Sequence, residues 1–215
     1  MASGTPGTKT RLRYLLLNDV PRMVRYGANA PRVHELVWVD PCSIRYALLE
    51  PTRSQLKRQK GHVVGGDWDL HVDCIDDRVK FRICYRRWRD GLSWEDAGAY
   101  DDHLARIEKA GGRYDGCVTR EDVIARYAAF DEMFNQVVRE GGLRTRDQLT
   151  GRRFREAGGI GIHIGRNGQP IWGFDGSHRL AAARVLALPV IPATLGAVHA
   201  QSVKTWRHLY RVSEA

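Results

Sequence analysis

Apolar and polar residues alternate most clearly late in the chain. Ile160, Ile162 and Ile164 alternate with Gly161, His163 and Gly165, the two-residue period of a half-buried strand. His163 therefore belongs to the face opposite the isoleucines, lining a pocket or facing solvent. Asn167-Gly168 follows, a pair suited to a tight hairpin because both central residues of such a turn need positive φ. Gln169 to Phe174 then returns as the second strand. Leu180 to Leu186 is a short helix of small residues, and Pro189 to Leu195 is a β-rich run. Earlier, ELVWVD (Glu35 to Asp40) reads as a strand closed by Pro41.

Between these β-rich parts the period becomes helical. Val123, Tyr127, Phe130, Phe134, Val137 and Val138 recur at helical spacing within a helical stretch from Leu92 to Leu149. Ser93 with Asp96 and Thr119 with Asp122 resemble capping boxes, and Gly111-Gly112 and Gly141-Gly142 close the two helices. At the start, Leu12, Leu15, Leu16 and Val20 give Arg11 to Tyr26 one apolar side, with Pro21 beginning or breaking a helix. Thr52 to Lys60 predicts a short basic helix, and Ser202 to Val212 a last amphipathic one.

Two stretches carry candidate chemistry. The first is Asp175-Gly176-Ser177-His178-Arg179, set between a strand and a helix. A helix start built from glycine and serine leaves backbone N–H groups and the positive dipole end facing outward, which suits phosphate. Arginine in a first turn is electrostatically disfavoured unless an anion is present, so Arg179 points to one. Gly176, Ser177, His178 and Arg179 are the expected phosphate contacts. His178 is also a candidate general acid, and Asp175 an N-cap or functional carboxylate. The second stretch is Val63 to Asp73. If extended, it puts Asp67, Asp69, His71 and Asp73 on one face and Trp68, Leu70, Val72 and Cys74 on the other. Asp67 and Asp69 follow Gly65-Gly66, which lets a ligand approach. Paired carboxylates there could hold Mg²⁺, or Asp67 could serve as a general base.

Charge widens the choice of partners. The 215 residues carry a net charge of +9, concentrated in Lys9 to Arg32, Arg82 to Arg89 and Arg144 to Arg155. Such a charge suits an anionic partner, a nucleotide, nucleic acid or anionic polymer, and equally a solvated basic surface. In RICYRRWRD (Arg82 to Asp90) aromatics interleave with arginines, as in a stacking and phosphate-gripping surface; the same pattern also fits core aromatics with solvated arginines. The four cysteines, Cys42, Cys74, Cys84 and Cys117, form no C-x-x-C pair, which argues against zinc and a disulfide framework. No run reaches the length of a membrane span and the first residues lack a signal-peptide core, so the expected location is cytoplasmic with no membrane partner. A G-x-x-x-x-G-K-S/T loop is absent, which excludes P-loop chemistry.

The run DGSHRLAAARVLALPVIP, with Gly176, Arg179 and Ala182 in the Gly-x-x-Arg-x-x-Ala arrangement, resembles the ParB/sulfiredoxin-like superfamily. It is most similar to ParB-like nuclease-domain proteins, and free serine kinases carry a similar DG-x-x-R. Sulfiredoxins place a cysteine just before the arginine; Gly176-Ser177-His178 occupies that stretch, so their chemistry is disfavoured. The resemblance implies an α+β fold: a small mixed-sheet core with a helical insert (92–150) and flanking N- and C-terminal helices. Residues 1–10 form a disordered tail, 11–215 one domain, and 159–195 the nucleotide-binding motif. It also implies a nucleoside triphosphate ligand, ATP or CTP, with Asp175 contacting metal or hydroxyl. Function then reads as Mg²⁺-dependent NTP hydrolysis or phosphoryl transfer. A DNA-binding protein is the alternative, although no clear helix-turn-helix follows the Arg179 helix; a non-catalytic regulatory module is the third.

Overall fold

Three neighbouring strands of the fold are buried along their whole length, although the sequence of one alternates. In the computed structural model, which describes residues 17, 19–150 and 155–212, these are β5 (Ile160–Ile164), β6 (Pro170–Phe174) and β7 (Ile191–His199). The expected disordered tail (1–10), and Leu12, Leu15, Leu16, Arg152 and Arg153 of the expected basic segments, lie outside the described residues.

The remaining strands are β1 (Leu36–Val39), β2 (Tyr46–Leu48), β3 (Val63–Val64), β4 (Val72–Cys74) and β8 (Arg211–Val212). Their order is β4-β2-β6-β5-β7-β1-β8, with β3 added to the far end of β7. Pairs β2·β6, β5·β7 and β3·β7 are parallel and the others antiparallel, so the sheet is mixed. With the helices described below, this makes the fold α+β.

Contacts divide the chain into two compact units. The first, Met1–Ile75 with Arg144–Gly176 and Pro189–Ala215, contains the whole sheet. It also holds helices α1 (Val20–Tyr26) and α2 (Thr52–Lys57). One sheet face is covered by a cluster of Leu48, Leu56, Trp68, Ile171 and Ala197, to which α2 contributes Leu56.

His163 lies inside this face, wholly buried, rather than at a pocket wall or in solvent. The cause is glycine on the neighbouring strands. A Cβ at Gly173 would sit 2.2 Å from the imidazole Cδ2 and Nε2, and one at Gly196 2.6 Å from Nδ1, so the ring occupies space that any other residue would fill. The Ala197 N–H donates to Nδ1 at 2.8 Å, which leaves the imidazole proton on Nε2. Trp68 meets the ring edge-on at 5.8 Å.

The second unit is Asp76–Leu143 with Ser177–Leu188. Its helices are α3 (Val79–Trp88), α4 (Ala99–Lys109), α5 (Arg120–Glu140) and, after α6 (Arg146–Thr150) of the first unit, α7 (Ser177–Val185). The helical unit is bounded differently from 92–150: its longer segment ends at Leu143, and it takes in Arg82 to Arg89 and the small-residue helix, α7, which packs on α3 and α5. Thr119 and Asp122 form the capping box that starts α5, with bonds of 3.2 and 3.0 Å. At Ser93 the Asp96 N–H donates to Oγ at 3.0 Å and Oγ donates to the Asp96 carboxylate at 2.6 Å, but these bonds close a turn; α4 begins later, after left-handed Gly98. Of the periodic residues on α5, Val123, Tyr127 and Val137 are buried, and Val138 is exposed.

Two expectations at the chain ends change. Val20 is exposed on α1 rather than packed. The last helix, α8, spans only Trp206–Leu209. Trp206 is buried with its indole donating to Asn29 O at 2.9 Å, and residues 211 and 212 turn extended to pair with β1. An unpaired sheet edge competes with the helix for those backbone groups and wins. No helix among the described residues is long and apolar enough to cross a membrane.

Candidate functional site

Strand β6 ends at Phe174, and the next two residues, Asp175 (φ 46°) and Gly176 (φ 71°), are both left-handed. Gly176 is required there on two counts: its φ, and a Cβ that would lie 2.9 Å from Ile160 Cα on the adjacent strand. The Trp172 indole N–H donates to the Asp175 carbonyl at 2.9 Å and holds the turn from the other side.

Cations from the first unit gather at this strand end. Lys57, the last residue of α2, places Nζ 3.5 Å from Asp175 Oδ1. Lys60 sits with Nζ 4.5 Å from the centre of the Phe174 ring. Arg53 donates through Nε to Gly173 O at 2.9 Å and lies over Trp172. Burial pushes the His34 imidazole down to about 4, helped by the charges of Lys60 and Arg155 and opposed by Asp175. Burial likewise lowers Lys60, with Asp175 opposing and Lys57 reinforcing. Arg155 is committed elsewhere, to Val33 O at 2.9 Å and Asp19 at 2.8 Å. One carboxylate, Asp175, thus faces two lysines in a positive field.

The rest of the expected motif opens α7 in the second unit. Ser177, His178 and Arg179 are each half-buried in its first turn. His178 stacks on Phe130, with ring centres 3.8 Å apart and planes 18° from parallel, and meets Tyr127 edge-on. Burial, then Lys80 and Arg126, push it down to about 3. So low a value disfavours the protonated ring that the general-acid expectation for His178 requires.

Asp67 and Asp69 are brought together, but around a guanidinium. Residues Trp68–Leu70 form a 3₁₀ turn instead of continuing a strand, because Trp68 turns inward to the core. Arg166, beside the hairpin turn, donates from its backbone N–H to Asp69 Oδ2 at 2.8 Å and from Nη2 to Asp69 at 2.8 Å and Asp67 at 2.7 Å. Asp69 has no exposed side-chain area. Desolvation opposes its charge, but the Arg166 bonds outweigh it and hold the carboxyl below its usual range. At the Mg²⁺ site expected at Asp67 and Asp69, with Asp67 as base, the structure places the Arg166 guanidinium between the two carboxylates, while the Asp67 side chain stays 73% exposed. Among the described residues, no group of three or more His, Cys, Asp or Glu side chains could hold a metal ion. His199 near this turn donates from Nε2 to Gly66 O at 2.8 Å, while its Nδ1 accepts from the Gln201 N–H at 3.1 Å.

The basic aromatic stretch is also used internally. It forms α3, with Phe81, Ile83 and Cys84 buried. Arg87 grips Asp131 through two bonds of 3.1 and 2.7 Å, and the indoles of Trp88 and Trp94 donate to the same carboxylate at 2.9 and 3.0 Å. Trp88 stacks on Phe134 at 4.9 Å. Arg86 donates to the carbonyls of Asp96 and Ala97. Tyr85 and Trp88 are half-buried, and the Tyr85 hydroxyl donates to Asp76 at 2.7 Å, so both aromatics have partners within the chain. All four cysteines are free.

Lys57, Lys60 and His34 were not singled out by pattern. The basic helix holding Lys57 is visible in the sequence, but nothing local assigns it to a turn more than a hundred residues away. Neither a protein-family model, nor a curated protein, nor a solved structure matches the chain.

Proposed function

We propose that this protein binds the phosphate groups of a nucleoside triphosphate, ATP or CTP, at the turn that ends β6. Lys57 and Lys60 supply the charge and the Gly176 N–H supplies a backbone donor. The observation that carries the reading is the pair of lysines delivered to the Asp175 carboxylate at a left-handed Asp-Gly turn. The resemblance of the DGSHR run to ParB/sulfiredoxin-like proteins supports a nucleotide over other anions. Mg²⁺, where needed, arrives with the nucleotide rather than at Asp67 and Asp69. Charge stabilisation by the lysines is also what a phosphoryl-transfer or hydrolysis reaction would draw on.

Thermal unfolding with ATP, CTP or inorganic tripolyphosphate, with and without Mg²⁺, tests this. At a hundredfold excess over Kd a ligand stabilises by about 2.7 kcal/mol, which raises Tm by roughly 5–10 °C in a chain of this size. Lys60→Ala and Lys57→Ala should each remove most of the shift. A wild-type protein indifferent to all three ligands would end the proposal.

A further inference from the structure

The phosphate reading leaves Asp175 unexplained, because a carboxylate is a poor lining for an anion site. We infer that the Asp175 side chain is an internal occupant of that site, one that an incoming phosphate must displace, so that the site selects polyvalent phosphates over singly charged anions. The inference rests on the phosphate reading and adds a selectivity to it.

Three features support displacement. The Lys57–Asp175 contact is loose: 3.5 Å between Nζ and Oδ1, with side chains 55% and 40% exposed. Such a pair contributes little to stability and is readily exchanged. The backbone beneath the carboxylate is pinned, by the Trp172 indole at the Asp175 carbonyl and by Gly176 packed against Ile160. The side chain can therefore swing away while the turn keeps its shape. Finally, Asp175 is left-handed at φ 46°, a conformation that Asp shares with Asn and Gly but few other residues, so the turn does not need the carboxylate for its geometry.

Charge gives the selectivity. Arg155 is already paired with Asp19, so the two lysines face Asp175 as the nearby anion of the turn. A monoanion that replaces this carboxylate returns the site to the charge it had and gains little. A triphosphate brings several negative charges for the one that leaves, and Lys57 and Lys60 can both meet it.

Calorimetric titration of the full chain with inorganic tripolyphosphate and with orthophosphate, both without Mg²⁺, is the test. Asp175→Asn should bind tripolyphosphate about tenfold tighter than wild type and gain measurable affinity for orthophosphate. Asp175→Gly, which also suits the left-handed turn, should behave the same and guards against a folding defect in the first variant. Lys60→Ala identifies the site. If Lys60→Ala abolishes binding while both Asp175 variants bind no tighter than wild type, the inference fails and the phosphate site stands. Absence of binding in wild type and Asp175 variants alike removes the site, and the inference with it.

Discussion

His163 has its ring sealed on every side, its Nδ1 accepting from Ala197 and its Nε2 without a hydrogen-bond partner among the described residues. Burial pushes it down to about 3, against about 6.5 in an unfolded chain. As pH falls, the unfolded chain takes up this proton first. The stability that neutral His163 provides is therefore whole above pH 6.5 and declines as pH falls from there toward 3. The slope is about 1.4 kcal/mol per pH unit for a group so sealed. His34, at about 4, and His178, at about 3, act in the same direction. Urea midpoints at pH 7, 6 and 5 check this, the window lying above the titration of most carboxylates. His163→Gln, whose amide oxygen can accept from Ala197, should unfold at a midpoint less sensitive to pH. Equal slopes for the two proteins would show that His163 is not a source of the pH dependence. At this scale the sequence shows which side of β5 His163 occupies. It does not show that glycines on two other strands make room for it.

Among the elements, the hairpin of β5 and β6 and its neighbour β7 show how small residues set the packing. Gly173→Ala would drive a methyl to 2.2 Å from the His163 ring and 3.4 Å from Leu48 Cδ1. Overpacking of this kind should cost about 2–3 kcal/mol. Combining it with His163→Ala should recover part of that cost, because the methyl then has space; purely additive losses would place the damage elsewhere. Helix starts were legible only where the local bonds coincide with the packing. Thr119 and Asp122 cap a helix whose Val123 and Tyr127 are buried, whereas Ser93 and Asp96 share one of those bonds, Asp96 N–H to Ser93 Oγ, and the chain turns instead. The stretch from Val63 to Asp73, which would set its carboxylates on one face if extended, is not one strand, because Trp68 is drawn into the core and Trp68–Leu70 form a 3₁₀ turn.

Over the whole molecule, charge is unevenly shared. The second unit contains fourteen basic and fourteen acidic residues, so the entire excess of +9 belongs to the first. The surplus charge that a polyanion would meet therefore belongs to the sheet-bearing unit, which holds the basic helix α2, rather than to the unit of the arginine-rich α3. Retention on a phosphate-bearing matrix across a salt gradient should drop when Lys57 and Lys60 are changed to Gln. It should hardly move when Arg82 and Arg89 are changed, the latter already paired with Asp90 at 2.8 Å. The reverse ranking would return the anionic partner to α3.

The sequence by itself determined the strand–turn–strand–turn–helix order around 160–185, the helical middle and the surplus of positive charge. All of these follow from local periodicity, turn chemistry and composition, which act between residues close in the chain. Tertiary structure alone decided which charges meet. It set Arg166 between Asp67 and Asp69, closed Asp131 with Arg87 and two indoles, and carried Lys57 and Lys60 to Asp175. Complementary charges find one another through space once the hydrophobic faces have packed. A carboxylate's role is therefore fixed by which distant cation the fold sets beside it.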